Sequence, residues 1–277
     1  MSTARRTAGL SWLSFHIFLP GAFETFLLNC FLPMLEEELS SGRVKRFFFI
    51  RYSEKGHHIR LRFLPQPGTE AVMIEQRLSK LLQKFAAETG TALEPSILER
   101  HQYDRSNLYF GETIQSVYAE LLNEQTSYLC LRLLRAQLTS RFHLMLVVSS
   151  AMGFLLRHCE GNWQSYKLAL DDSRAFAARG VKKLGHDVAL LPDSREGALY
   201  RALTQSMPKI TASLDGDATI NRIVRLLRRT RKGIVNGRHV AAHALHLFCN
   251  KMGLSFIDEF EIFDMLYNIA VDEDRET

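Results

Sequence analysis

The chain has 277 residues, 46% of them hydrophobic and 23% charged, with a formal net charge of +5. That balance excludes a disordered or low-complexity chain and provides for a substantial buried core. The mild basic excess suits an acidic or polyanionic partner and does not require nucleic acid.

The first third alternates strand and helix. Trp12 to Leu19 alternates with period two, Ser14 and His16 on one face and Leu13, Phe15 and Ile17 on the other, which predicts a strand. Gly21 to Leu39 reads as a helix kinked at Pro33 and stopped at Ser40-Ser41-Gly42. A β-hairpin over 47–63 turns at Ser53-Glu54-Lys55-Gly56. A long amphipathic helix over 70–88 and a strand over 93–103 follow. Beyond these the chain reads as helices near 111–123, 127–158, 171–183, 194–207, 217–232, 237–252 and 256–270. Strands followed by helices predict an α+β fold, a small antiparallel sheet against a helical layer, with residues 1–277 as one domain.

The hairpin carries an unusual charge pattern, FFFIRYSEKGHHIRLRF. A four-residue turn would set Tyr52 opposite His57, Arg51 opposite His58, Phe49 opposite Arg60 and Phe47 opposite Arg62. Arg51, His58, Arg60 and Arg62 would then share one face, with Phe48, Ile50, Tyr52, Ile59, Leu61 and Phe63 on the other. Clustered cations repel one another, so the arrangement calls for an anion or a strong acceptor. A one-residue slip of register would scatter the set.

These residues also carry a resemblance. The aromatic run, the Arg-Tyr pair and the His-Ile-Arg-Leu-Arg-Phe ending resemble the thiopeptide-type bacteriocin biosynthesis proteins, stand-alone counterparts of the C-terminal elimination domain of class I lantibiotic dehydratases. WLSFHIF (Trp12 to Phe18) is similar to that family's first strand. YDRSNLYFG (Tyr103 to Gly111) resembles its mid-chain motif, and HALHLFCNKMG (His243 to Gly253) its C-terminal helix.

The resemblance implies chemistry on a ribosomally made precursor peptide, without metal or organic cofactor. Elimination members expel glutamate from glutamylated Ser or Thr to leave dehydroalanine or dehydrobutyrine. A related branch joins two dehydroalanines in a formal aza-[4+2] cyclisation to a pyridine-type ring, losing water and the leader peptide. Carried over, Arg51 contacts the substrate adduct and His246 moves protons, roles that suit a guanidinium and an imidazole. The mid-chain motif departs from the elimination pattern: Ser106 and Tyr109 stand where those members carry Glu and Arg, and Glu112 replaces a glycine. That change removes a glutamate-recognition pair and favours cyclisation, although Arg100 and Arg105 lie nearby. Arg51, Tyr109 and His246 are the expected catalytic residues; His58, Arg60, Arg62, Arg105, His243 and Asn250 are expected to bind substrate. An inactive peptide-binding scaffold is the third reading. The expected cavity lies between the hairpin's basic face and the C-terminal helix.

Other patterns are weaker. His239, His243 and His246 fall on one helical face, but no Glu, Asp or Cys at ligand spacing completes a metal site. The stretch NRIVRLLRRTRKG (221–233) pairs an apolar stripe with a basic face that an acidic leader would fit; without aromatics to stack on bases it does not suggest RNA. Cys30, Cys130, Cys159 and Cys249 are far apart and read as buried thiols of a reducing compartment. No phosphate-binding glycine loop, Gly-x-Ser-x-Gly elbow or CxxC is present. The N-terminus lacks a signal-peptide core, and the apolar run near 143–156 is interrupted by Ser149, Ser150 and Gly153. The expectation is therefore a cytoplasmic protein that engages neither membrane nor nucleic acid. Its partners would be the precursor peptide and a glutamylating dehydratase, with a homodimer left open.

Overall fold

A computed structural model of the chain describes residues 11–19, 23–52, 56–91, 97–103, 113–136, 140–191, 194–232 and 237–276. Contacts divide the chain into two units, Met1–Asn107 and Leu108–Thr277. The fold is α+β, with the sheet in the first unit and helices in the second.

In the first unit, strands β1 (Leu13–Ile17), β2 (Val44–Tyr52), β3 (His58–Pro65) and β4 (Leu98–Gln102) form one antiparallel sheet in the order β2-β3-β1-β4. One face is built from Phe15, Ile17, Phe47, Phe49, Ile59, Leu61 and Phe63, all fully buried. Covering it are α1 (Phe23–Phe26), a π-helical turn (Leu27–Phe31), α2 (Leu32–Ser40) and α3 (Ala71–Thr89). Phe31 meets Phe47 and Phe63 with ring centroids 6.0 Å apart in each pair. Pro33 sits at the start of α2, and the π turn before it lets Leu32 N–H reach back to the Leu27 carbonyl. The predicted kink is thus realised as a widened turn. Gly42, the last residue of the predicted stop, has φ 71°, a conformation that other residues rarely adopt.

A buried carboxylate ties this layer together. Glu38 is 1% exposed; it accepts from Arg43 Nε at 2.7 Å and pairs with Arg77 Nη1 at 2.7 Å. The end of α2, the entry to β2 and α3 are thereby joined.

The second unit contains α4 (Thr113–Arg135), α5 (Arg141–Glu160), α6 (Trp163–Lys183), α7 (Ala198–Leu214), α8 (Ala218–Lys232), α9 (Gly237–Lys251) and α10 (Phe256–Glu276). The expected helices at 111–123 and 127–158 are cut differently. The polar stretch at 124–126 does not break α4, because its side chains bond within the helix. Asn123 Nδ2 donates to the Ala119 carbonyl, Thr126 Oγ1 to Leu122 and Ser127 Oγ to Asn123. Lys251, fully buried, donates to Asn123 Oδ1 at 2.7 Å and Thr126 Oγ1 at 3.0 Å. The chain breaks later: Ser140 caps α5, accepting from His143 N–H. Asn162 caps α6 in the same way, so that helix starts eight residues before the expected position. Helix α5 is long and apolar enough to cross a membrane by length and composition, unlike the expectation for its sequence. Most of its apolar window is buried within the protein.

Candidate functional site in two parts

The strand register corrects the hairpin expectation. Tyr52 faces His58, Arg51 faces Ile59, Ile50 faces Arg60 and Phe48 faces Arg62, a slip of one residue from the predicted pairing. Arg51 consequently lies on the same face as Phe49 and Phe47, away from His58, Arg60 and Arg62. There its Nη1 donates to Glu24 Oε1 at 2.6 Å, and its guanidinium carbon stands 5.9 Å from the Phe23 ring centre. A bulge at Val44–Arg46 adjusts the start of the pairing.

The opposite face holds the charge cluster. His58, Arg60 and Arg62 alternate along β3; β1 adds Ser14 and His16, β4 adds Glu99 and His101, and β2 adds Arg46 and Tyr52. His58 is 2% exposed; its Nδ1–H donates to the Gly56 carbonyl at 2.9 Å while Nε2 accepts from Arg60 Nε at 3.1 Å. The Arg60 guanidinium lies 3.3 Å over the Tyr52 ring, Arg62 5.6 Å over Tyr103 and Arg46 5.3 Å over Trp12. His16 stacks on His101 at 3.8 Å and on His58 at 5.1 Å.

Electrostatics favour an acceptor here. Burial, then the proximity of His101, Arg62, Arg60 and His58, pulls the His16 imidazole down to about 3, so it stays neutral near neutral pH. Arg62 is lowered to about 10, first by burial and then by Arg60. His16, Glu99 and His101 bring possible ligand atoms within 4.8 Å of one another, the one metal-like group among the described residues. The nearby arginines, which add to burial in keeping His16 unprotonated, also oppose a divalent cation, and Glu99 is engaged with His101 at 2.9 Å. An anionic or carbonyl-bearing group fits better than a metal. Sequence reasoning missed His16, His101, Arg46 and Tyr52 as members. The alternation in WLSFHIF carried the signal for His16, but pairing the strands required knowing their order.

The second part is in the helical unit. His246, on α9, is 18% exposed at its side chain, and its Nδ1–H donates to Glu259 Oε2 at 2.7 Å. Phe256 stacks on the imidazole at 4.9 Å with planes 8° apart, and Phe176 of α6 stands 5.2 Å away. Phe256 and Glu259 both come from the first turn of α10, which Ser255 and Asp258 fix reciprocally. Ser255 Oγ accepts from Asp258 N–H at 3.2 Å, and Asp258 Oδ2 accepts from Ser255 N–H at 2.7 Å. Phe256 fits because α6 carries Gly180 beneath it; a β-carbon there would come within 2.1 Å of the ring.

His243, one turn earlier, lies 6.1 Å from His246 and 6.4 Å from Phe176. Burial, followed by His246 and Lys251, lowers it to about 4, so it is a neutral donor or acceptor at neutral pH. Asn250 is half-buried one turn after His246, its carbonyl accepting from Gly253 N–H. Glu259 and Phe256 were missed in the sequence because their relation to His246 spans a loop. Tyr109 and Arg105, with Ser106 and Glu112, lie outside the described residues, as does the His239 side chain. Arg51 belongs to the first unit and His246 to the second.

On α8, Ile223, Val224, Leu226 and Leu227 are buried and Arg222, Arg225, Arg228 and Arg229 exposed, as the stripe predicted, and Ile220 is buried with them. Arg228 Nε donates to the His158 carbonyl at 2.9 Å, capping the end of α5. A cavity of about 450 Å³ beside it is lined by His158, Ala218, Asn221, Val224, Arg225 and Arg228. All four cysteines are buried thiols.

An antiparallel sheet bearing a histidine–arginine face, followed by a helical unit with a carboxylate-held histidine, defines an α+β protein. Residues 12–270 match the family described as Lantibiotic biosynthesis dehydratase C-term, and the chain belongs to that family. No curated protein matches it in sequence. Among solved structures it is similar to the tRNA-dependent lantibiotic dehydratase MibB from Microbispora sp. 107891. The TM-score is 0.70 at 18% identity, over 99% of this chain. The match spans only 29% of the MibB chain. It is also similar to TbtD, the pyridine synthase from thiomuracin biosynthesis (TM-score 0.61, 14% identity, covering 96% of this chain and 100% of that one). A third likeness is TsrL (TM-score 0.65, 16% identity, covering 96% and 95%).

Proposed function

We propose that the protein is an enzyme that modifies a ribosomally synthesised precursor peptide by formal aza-[4+2] cyclisation of two dehydroalanines, with loss of water and leader. The carrying observation is the engagement of Arg51. The resemblance assigns this guanidinium to the glutamyl adduct in elimination members, yet here it bonds Glu24 at 2.6 Å on the core-side face. With the Glu24 carboxylate already beside it, a second free carboxylate at this arginine would meet like-charge repulsion. Together with Ser106 and Tyr109 in the mid-chain motif, this leaves a site better suited to hydrogen-bonding amides than to holding free glutamate.

In this reading Arg60, Arg62 and His58, with His16 and His101, hold carbonyls of the dehydrated core and favour the iminol form of the joining amide by positioning. His246 moves protons during ring closure and loss of water. Tyr109, Arg105, His243 and Asn250 are assigned to the same substrate, and both units act as one domain. The exposed arginines of α8 receive an acidic leader. A cytoplasmic enzyme served by a glutamylating dehydratase completes the assignment.

Glutamate elimination from glutamylated Ser or Thr is the second reading. It is favoured by the arginines Arg46, Arg60 and Arg62 on one sheet face, where Glu99 is the acid among the described members. Supplying a bis-dehydroalanine peptide and, separately, a glutamylated peptide distinguishes the two by mass. Ring formation with leader release from the first supports cyclisation; free glutamate from the second overturns it. Intact peptide binding with no turnover of either substrate would leave a scaffold.

A further inference from the structure

We infer that Glu259 is a positioning residue that fixes the tautomer and orientation of His246, an inference resting on the assignment of His246 to proton transfer. Four observations converge. Glu259 is 1% exposed, so its carboxylate has been taken out of water at substantial cost. Its carboxylate accepts from the imidazole, Oε2 to Nδ1 at 2.7 Å, while the buried Oε1 has no hydrogen-bond partner among the described residues. The adjacent carboxylate, Asp258, is the one that Arg141 pairs with. Finally, the ring is held between Phe256 and Phe176, which restricts its rotation but supplies no proton specificity.

A buried carboxylate serving structure alone would be expected to engage both oxygens. Here one oxygen accepts Nδ1–H and the other is left unmet. The bond makes Nδ1 the protonated nitrogen and leaves Nε2, on a partly exposed ring, as the nitrogen that exchanges protons. The groups around the pair agree with this division. From α9, His243 faces the ring as a neutral imidazole. Phe176 from α6 and Phe256 from α10 are apolar, and Cys249 is a buried thiol whose ionisation Glu259 further opposes. The carboxylate also stabilises the imidazolium formed when Nε2 takes a proton, without itself touching substrate.

The test reads the tautomer first, so that it does not depend on substrate identity. In the full-length protein labelled with 15N-histidine, the His246 signal is assigned with His246→Asn. Read at a pH where the 15N shifts show the ring to be neutral, it should show a protonated Nδ1 and an unprotonated Nε2. Glu259→Gln, whose amide can present N–H to the ring, should convert it to a mixture or to the other tautomer. An unchanged spectrum overturns the inference. With the dehydrated precursor peptide, Glu259→Gln should lower kcat about 100-fold with KM nearly unchanged. Glu259→Asp should recover part of the loss if a charge near Nδ1 is what matters. Wild-type kcat in Glu259→Gln overturns the inference even where the fold is intact by circular dichroism. His246→Ala separates the two claims: full turnover without the imidazole removes the proton-transfer assignment, whatever the tautomer shows.

Discussion

At the residue scale, the sheet cluster sets the buried His16 imidazole close to arginines. His16 titrates near 6.5 in an unfolded chain and about 3 in the folded one. Between these values the unfolded state binds more protons, so stability is greatest above about pH 6.5 and falls as the pH drops toward 3. His16→Phe should therefore show a smaller loss of the urea midpoint between pH 7.5 and pH 5 than the wild type; an equal loss would mean that His16 does not titrate as described. The same residue shows what the sequence disclosed. Period two placed Ser14 and His16 on one face correctly, because alternation is a local property. The pairing of Arg51 with His58 was off by one, because a hairpin's register depends on turn geometry that four polar residues do not encode. That single step moved Arg51 from the cluster to the side of Glu24 and Phe23.

At the element scale, the His246 pocket depends on the close approach of α6 to the start of α10. Glycine inside a helix costs about 1 kcal/mol relative to alanine, yet α6 keeps Gly180 because Phe256 occupies the space a methyl would need. Gly180→Ala should gain helix propensity and still displace Phe256 from the imidazole. The expected result is turnover reduced by about 10-fold or more with little change in peptide affinity; wild-type turnover would show that the stacking is dispensable. Elsewhere, Glu38→Ala removes the buried carboxylate that joins α2, β2 and α3 while leaving Arg43 and Arg77 paired with Glu37, and the first unit should unfold at a lower urea midpoint; an unchanged midpoint would show that Glu37 alone suffices. Helix ends were the least legible feature. The caps at Ser140 and Asn162 were present in the sequence, but the polar run near 124–126 looked like a stronger break. Its partner, Lys251, lies more than a hundred positions away and could not be read from the local pattern.

At the scale of the whole molecule, the fold class followed from strands preceding helices, and the family from motifs spread along nearly the entire chain. The basic face of α8 carries the remaining prediction. If Arg222, Arg225 and Arg229 receive an acidic leader, peptide affinity should fall as salt is raised. Arg225→Glu with Arg229→Glu should abolish that dependence and weaken binding at least 10-fold, measured by fluorescence anisotropy with a labelled precursor. A salt-insensitive affinity, unchanged in the double variant, would assign leader recognition to another surface. The glycine beneath Phe256 carries a consequence for descent. Its bareness and the breadth of the aromatic opposite it form a matched pair, so neither can drift alone. Lineages that acquire a bulkier residue at 180 should have narrowed 256 in the same step, leaving a paired substitution as the record of that constraint.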